Sequence, residues 1–362
     1  MKSFFPLLSL AVAALCSMAS PAAAAEQQTG RPDRFPRRIW AACDFEERRT
    51  DVVWTGATET GNIPQYPGNV TACRARRYGD AGTLVVTVKS VSPPRMNAAN
   101  GVYFRYYCRS VTSLAVELIT VDEKRYTTAL APESGAWTET WAEISVDTGN
   151  TSGGGAILNE IALIAECEGG AAEPAFIVDD LVCFSNDTSL SEAPDEPFPR
   201  RVIGLWQFDV FDDYQPWTKE HYAVVRHEGR PAADLGVARA VKHPRNDNRW
   251  IRLIIEPLQA VGACTKLGFW YYQENATMLQ IMMFDATVQD NRYIRIADPV
   301  RGSWTRATLN FTRDGINNSG TQTPFSPGNR IDDIFFFPGF TSDEKTELFL
   351  DEVVLYDAGS CD

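Results

Sequence analysis

Long apolar runs, histidines and paired-cysteine motifs are all scarce in this chain. Beyond the N-terminus no segment reaches the ~18 uninterrupted apolar residues that a membrane-spanning helix needs. Only three histidines occur, His221, His227 and His243, all in the C-terminal half. No Cys-x-x-Cys spacing marks a zinc or redox site. Gly-x-Ser-x-Gly, His-Glu-x-x-His and glycine-rich phosphate loops are missing as well. There is no excess of positive charge: the net charge of −13 argues against nucleic acid or an anionic membrane as partner, since either wants a basic face. Nor does any stretch sustain helical spacing over three capped turns, so no helix is expected beyond the leader.

What the N-terminus does contain is an export signal. Lys2 supplies a short positive region, an apolar run follows from Phe4 to Cys16, and Ala22–Ala25 provide the small residues that signal peptidase requires before Glu26. Residues 1–25 therefore read as a cleaved signal peptide and the mature protein as secreted and extracellular. Cys16 follows the bulky Leu15, which does not fit a lipoprotein signal. Six Asn-x-Ser/Thr acceptors, at Asn69, Asn150, Asn186, Asn275, Asn310 and Asn317, point to a glycoprotein. Of eight cysteines, Cys16 leaves with the leader; the odd number remaining is expected to serve mainly as disulfide staples, with one left over.

The chain of 362 residues repeats itself once. Phe35-Pro36-Arg37-Arg38 returns as Phe198-Pro199-Arg200-Arg201. In the same order, Phe45-Glu46 matches Phe208-Asp209, and Arg74-Ala75 matches Arg239-Ala240. Phe104-Arg105-Tyr106-Tyr107 matches Phe269-Trp270-Tyr271-Tyr272, and Trp137-Thr138 matches Trp304-Thr305. Val178-Asp179-Asp180-Leu181-Val182 matches Leu350-Asp351-Glu352-Val353-Val354. A period this long denotes duplicated domains, not a solenoid of short units. The expected organisation is domain one over 26–186, an exposed linker over 187–197 rich in Ser, Asp, Glu and Pro, and domain two over 198–362.

Each copy is patterned for strands. Leu114, Val116 and Leu118 alternate with Ala115 and Glu117, and Leu279, Ile281 and Met283 repeat that period-2 pattern. Short β-branched and aromatic runs are broken by Gly, Pro, Asn and Asp, which predicts an all-β chain of two tandem β-sandwich domains of jelly-roll type. Strand alternation also selects candidate binding residues. If Leu267, Phe269 and Tyr271 face a core, Trp270 and Tyr272 share the opposite face. Gln280 has the phase to join them and Arg295 to follow, with Arg105, Tyr107 and Glu117 at the matching positions of the first copy. Flat rings and planar polar groups are the chemistry of sugar recognition. Loop residues Tyr214 and Trp217 offer a rim site instead.

Both copies open on an acidic-aromatic strand (Asp44-Phe45-Glu46; Gln207-Phe208-Asp209) and close on an aromatic-apolar-Asp-acidic-apolar strand (Phe176 to Leu181; Phe349 to Val353). This layout resembles the galactose-binding-like β-jelly rolls, notably carbohydrate-binding modules. The resemblance implies glycan or polysaccharide binding. It also implies a structural Ca²⁺ held between first and last strands, by Asp44, Glu46 and Asp179 in the first copy and by Asp209 and Asp351 in the second, where Gln207 removes a charge. Adjacent first and last strands in such a sandwich further imply a Cys43–Cys183 bridge, and Cys264 and Cys361, the only cysteines of the second copy, are candidates to pair.

Non-catalytic carbohydrate binding is accordingly the favoured function. Its alternatives are a secreted adhesion or matrix protein and a polysaccharide lyase or hydrolase. The enzymatic alternative lacks an obvious dyad, because Asp212-Asp213 and Asp332-Asp333 are adjacent in sequence and adjacent strand residues face opposite ways. Secreted protein should begin at Glu26, which N-terminal sequencing checks; an intact leader would refute the cleavage.

Overall fold

The structure, a computed structural model, describes residues 28–45, 52–61, 71–77, 82–90, 93–148, 156–169, 174–186, 196–208, 221–227, 229, 236–242, 248–339 and 346–361. Every regular element among them is a β-strand, and every ladder between strands is antiparallel.

The strand order is the same in the two halves. In the N-terminal half one sheet runs Ala57–Gly61, Thr71–Arg77, Ala175–Ser185, Ala99–Arg109, Trp137–Ser145, with Ile39–Cys43 also paired to Ala175–Ser185. In the C-terminal half the corresponding sheet runs Ala223–Val225, Val237–Arg239, Leu348–Asp357, Thr265–Gln273, Thr305–Asn310, with Arg201–Trp206 paired to Leu348–Asp357. The last strand of each half thus lies in the middle of its sheet, and this layer is termed the closing-strand sheet. The companion sheet runs Thr83–Ser90, Ala156–Cys167, Val111–Thr120, Arg125–Leu130 in the first half. In the second it runs Val241–Lys242, Arg249–Ala260, Arg330–Phe337, Met278–Asp285, Asp290–Ala297. In the first half the layers are joined at one edge, where Arg76 and Arg77 pair with Val85 and Leu84.

Between the two layers of each half lies an apolar core fed by alternate residues. Leu114, Val116 and Leu118 are buried with Phe104, Tyr106, Leu163 and Phe176. Leu267, Phe269 and Tyr271 are buried with Leu279, Ile281, Met283 and Phe336. The period-2 expectation is therefore met in both halves, since a strand packed on one face buries every second side chain. A third buried cluster joins the halves, drawing Phe35, Tyr103 and Phe184 from the first and Phe198, Val354 and Tyr356 from the second.

The repeated Val-Asp-Asp and Leu-Asp-Glu motifs have a local structural cause. Asp180 and Glu352 adopt left-handed backbone, with φ of 49° and 46°. The preceding Asp179 and Asp351 each accept a hydrogen bond at Oδ1 from the next residue's N–H, at 2.9 and 2.8 Å. Side-chain capping of this kind offsets the steric penalty of positive φ. At this level the ladder to the neighbouring strand shifts register, between Asp179 and Val182 in one half and between Gly268 and Trp270 in the other. The motif builds a β-bulge in the centre of each closing-strand sheet.

Of the two expected disulfides, Cys264–Cys361 is present and closes a separation of 97 residues. Cys43 and Cys183 are buried and are not bonded to each other. Their strands are neighbours, as expected, but the register sets Cys43 opposite Leu181 and Cys183 opposite Ala41, so the two cysteines are not opposed. Peptide mapping without reductant should therefore recover the 264–361 link and no 43–183 link. Cys361→Ser should lower the unfolding free energy measured in urea by about 2–4 kcal/mol.

Candidate functional site

Sugar-binding surfaces need exposed flat rings, so the outward faces of the sheets decide the matter. On the closing-strand sheet, one row of side chains crosses the strands at the same level in both halves. In the second half Arg239, Phe349 and Tyr272 are successive cross-strand partners, and Trp304 completes the row just before Thr305–Asn310. In the first half Arg74, Ile177, Tyr107 and Trp137 hold the same places. The Tyr272 and Trp304 ring centroids are 5.9 Å apart with planes inclined at 48°. Those of Tyr107 and Trp137 are 6.2 Å apart, also at 48°. All four rings are half-buried, with one side against the sheet and the rest open.

Tyr272 and Tyr107 are the candidates that this row retains. In the second half it is elaborated. The His227 ring lies 4.3 Å from Tyr272, 4.4 Å from Phe349 and 5.4 Å from Trp304. Glu347 receives both Arg239 nitrogens, Nε at 2.8 Å and Nη2 at 2.6 Å. That paired hydrogen bonding holds the Glu347 carboxyl below its usual range, the charges of Arg239 and Arg249 adding to it against the effect of burial. The result is a paired guanidinium–carboxylate group, with Arg249 3.7 Å from the same carboxylate, beside a ring cluster. His227, Phe349 and Trp304 were not among the sequence candidates, although the Trp137/Trp304 match of the repeat carried the signal for the last.

The other candidates fall elsewhere. Trp270 has the outward phase expected of it, yet it is buried at 7% exposure. The inner set Leu267, Phe269 and Tyr271 is as expected, so the facing is not inverted. Its cross-strand partners are Asp351 and Arg306, and Arg306 lies over the Phe35 ring of the other half. At the matching position Arg105 is also buried and pairs with Asp180 at 3.2 Å and Glu139 at 3.5 Å. Burial pushes the Asp180 carboxyl up, and the Arg105 charge opposes that.

Gln280 and Arg295 do not share a face with Tyr272, because their strands belong to the companion sheet. Arg295 Nε donates to Gln280 Oε1 at 3.0 Å. Gln280 lies opposite Phe337 across the ladder, and there the companion sheet has its own ring set. Trp250 and Phe335 stack at 5.3 Å and 24°, and Phe335 and Phe337 at 6.0 Å and 6°. Arg252 sits 5.3 Å from the Phe335 centroid and forms two hydrogen bonds to Asp333. Asp333 is thus engaged, while burial and the adjacent Asp333 charge raise the Asp332 carboxyl. On the first half's companion sheet the matching Glu117 instead takes hydrogen bonds from Arg125 and Thr127, at 2.8 and 3.1 Å.

The described carboxylates among the expected calcium ligands are engaged as follows. Asp44 Oδ2 accepts from Arg201 Nε at 2.8 Å, and Asp179 and Asp351 cap the bulges. Glu46 and Asp209 lie outside the described residues, as do Asp212, Asp213, Tyr214, Trp217 and His243. No group of three or more His, Cys, Asp or Glu placed to hold a metal occurs among the described residues. Nor is any helix there long and apolar enough to cross a membrane.

No family model matches the sequence, and no curated protein matches it. Among solved structures, similarity is found to TmCBM61 in complex with β-1,4-galactotriose, at 14% identity and a TM-score of 0.26, over 38% of this chain and 89% of that one. It is found also to SGBP-B from a complex xyloglucan utilization locus in Bacteroides uniformis, at 12% identity and a TM-score of 0.22, over 93% of this chain and 100% of that one. The Spr0440 glycoside hydrolase domain of Endo-D from Streptococcus pneumoniae R6 matches at 10% identity and a TM-score of 0.26, over 81% of this chain and 38% of that one. TM-scores of this size do not establish a shared fold.

The different settings of two neighbouring aromatics give a direct check. Trp270→Ala should lower the unfolding free energy in urea by about 3–5 kcal/mol, as for a buried aromatic. Tyr272→Ala, half open to solvent, should lower it by about 1 kcal/mol.

Proposed function

We propose that this is a secreted, non-catalytic carbohydrate-binding protein of two tandem sandwich domains, each reading sugar through the Tyr–Trp row of its closing-strand sheet. The observation that supports this best is the repetition of one ring geometry. The duplicated halves differ at many outward positions: Arg105 against Trp270, Glu117 against Gln280. Both nevertheless keep a tyrosine and a tryptophan on an outward face, about 6 Å apart and inclined at 48°. A core requirement does not account for half-open rings, whereas ligand contact does. Pyranose rings present axial C–H groups to an aromatic face, and two inclined faces suit successive sugars of a chain that turns between them. The Arg239–Glu347 pair offers donors and acceptors in one plane, as vicinal hydroxyls require.

The net charge of −13 favours a neutral glycan over a polyanion. On the second half's companion sheet Trp250 and Gln280 are buried, so the open aromatic platform of that half is its Tyr–Trp row. An enzymatic reading finds less support, because Asp333 is committed to Arg252 and the carboxylates of the bulges to backbone N–H groups.

A glycan array followed by calorimetric titration with a short oligosaccharide tests the proposal. Two sites per chain are expected. Tyr272→Ala with Trp304→Ala should reduce the stoichiometry to one, and adding Tyr107→Ala with Trp137→Ala should remove binding, since loss of a central aromatic anchor weakens affinity more than tenfold. Unchanged binding by the folded four-site variant would sink the proposal.

A further inference from the structure

The most closely repeated segment, Phe-Pro-Arg-Arg, serves neither the core between the layers of a half nor a ring row; Phe35 and Phe198 belong to the cluster that joins the halves. Two of its backbone bonds stay with its own half, Ser185 N–H donating to Arg38 O and Arg200 N–H to Asp357 O, while Phe35 N–H donates to Glu196 O beside the second arm. Its side chains cross over. Phe35 of the first half packs on Tyr356 of the second, with centroids 4.8 Å apart. Phe198 of the second half packs on Phe184 of the first at 5.2 Å and on Tyr103 at 5.2 Å. Phe184 and Tyr356 are equivalent positions of the closing strands, six residues beyond Val178 and Leu350. The aromatic contact is therefore reciprocal.

The polar contacts cross over as well. Arg37 Nη1 reaches both Glu352 oxygens, at 3.0 and 3.1 Å, and Arg38 Nε lies 3.3 Å from the same carboxylate. In the opposite direction Arg201 Nε donates to Asp44 Oδ2 at 2.8 Å. Gln207, the counterpart of Asp44, donates from its side chain to the carbonyl of Ile39, the residue after Arg38. Glu352, Asp44 and the arginines facing them are at most 13% exposed at their side chains.

We infer that Phe-Pro-Arg-Arg is a docking arm, and that each half carries a receptor surface for the arm of the other: an aromatic socket on the closing strand beside a buried carboxylate. The chain is an internal dimer with quasi-two-fold exchange of arms, and the partner that fits each surface is a Phe-Pro-Arg-Arg segment of a second copy of the same domain. This explains why both copies keep the motif outside their cores. It holds the two Tyr–Trp rows in one fixed relation, whatever those rows bind.

Cutting the linker of the full chain tests the inference. A site-specific protease sequence is placed within 188–193, upstream of Phe198, and the cleaved protein is run on size-exclusion chromatography at micromolar concentration. The cut wild type should elute with the uncut protein, as one particle. Phe35→Ala with Phe198→Ala should release two particles of about half the mass after cutting. Because those changes remove buried rings, a charge reversal is the second arm. Glu352→Arg should also separate the cut halves, and adding Arg37→Glu with Arg38→Glu should restore association, an outcome that mere loss of folding does not give. Separation of the cut wild type would overturn the inference. So would continued association of the cut, folded Glu352→Arg protein.

Discussion

The closing strand of each half is buried on both sides, and the remaining architecture is arranged around that burial. All eleven residues of Ala175–Ser185 are buried, as are nine of the ten in Leu348–Asp357. A strand in a two-layer sandwich normally has one face in the core and the other in water. Here the outward face is covered as well, by the other half near the bulge and by the ring row further along. Phe349, the one half-buried residue of Leu348–Asp357, belongs to that row. The open aromatic surface begins where the contact between halves ends.

Such burial puts charge in dry surroundings. Arg105–Asp180, Arg201–Asp44 and the Arg37, Arg38–Glu352 group all have side chains largely removed from solvent. A buried ion pair adds little net stability over a well-packed apolar pair, but removing one partner is severe, because it strands a charge. For the pairs that cross between the halves, Arg201–Asp44 and the Arg37, Arg38–Glu352 group, the value under the docking-arm inference is specificity. An arm of different sequence would leave Glu352 or Asp44 uncompensated, whereas the repeated arm satisfies both.

The duplication also acts as an internal comparison. Most positions alike in both halves sort into three physical groups. Core residues such as Phe104/Phe269 and Tyr106/Tyr271 fill the space between layers. Asp179/Asp351 hold a left-handed residue, and the Phe-Pro-Arg-Arg segments meet the opposite half. Tyr107/Tyr272 and Trp137/Trp304 fit none of these groups, which is why they carry the functional reading. On the companion sheets the halves have diverged, to ion pairs such as Glu117–Arg125 in the first and to stacked rings in the second. The two halves share one kind of surface and differ in another.

The sequence by itself determined the strand content, the internal repeat of motifs and the facing of most side chains, since period-2 alternation reports which side of a strand is apolar. It put Leu267, Phe269 and Tyr271 on one side and Trp270 and Tyr272 on the other, as the structure has them. Alternation does not report which sheet a strand joins. Gln280 and Tyr272 both face outward, but from opposite layers, and that follows from pairing between distant strands. Nor does it report what covers an outward face: Trp270 is buried, its cross-strand partner Arg306 lying over Phe35 of the other half, while Tyr272 is half open. Register, also a long-range property, set Cys43 opposite Leu181 and not Cys183. The acidic motifs are visible as a repeat, but the partner of Asp44, an arginine 157 residues away, comes only from the tertiary structure.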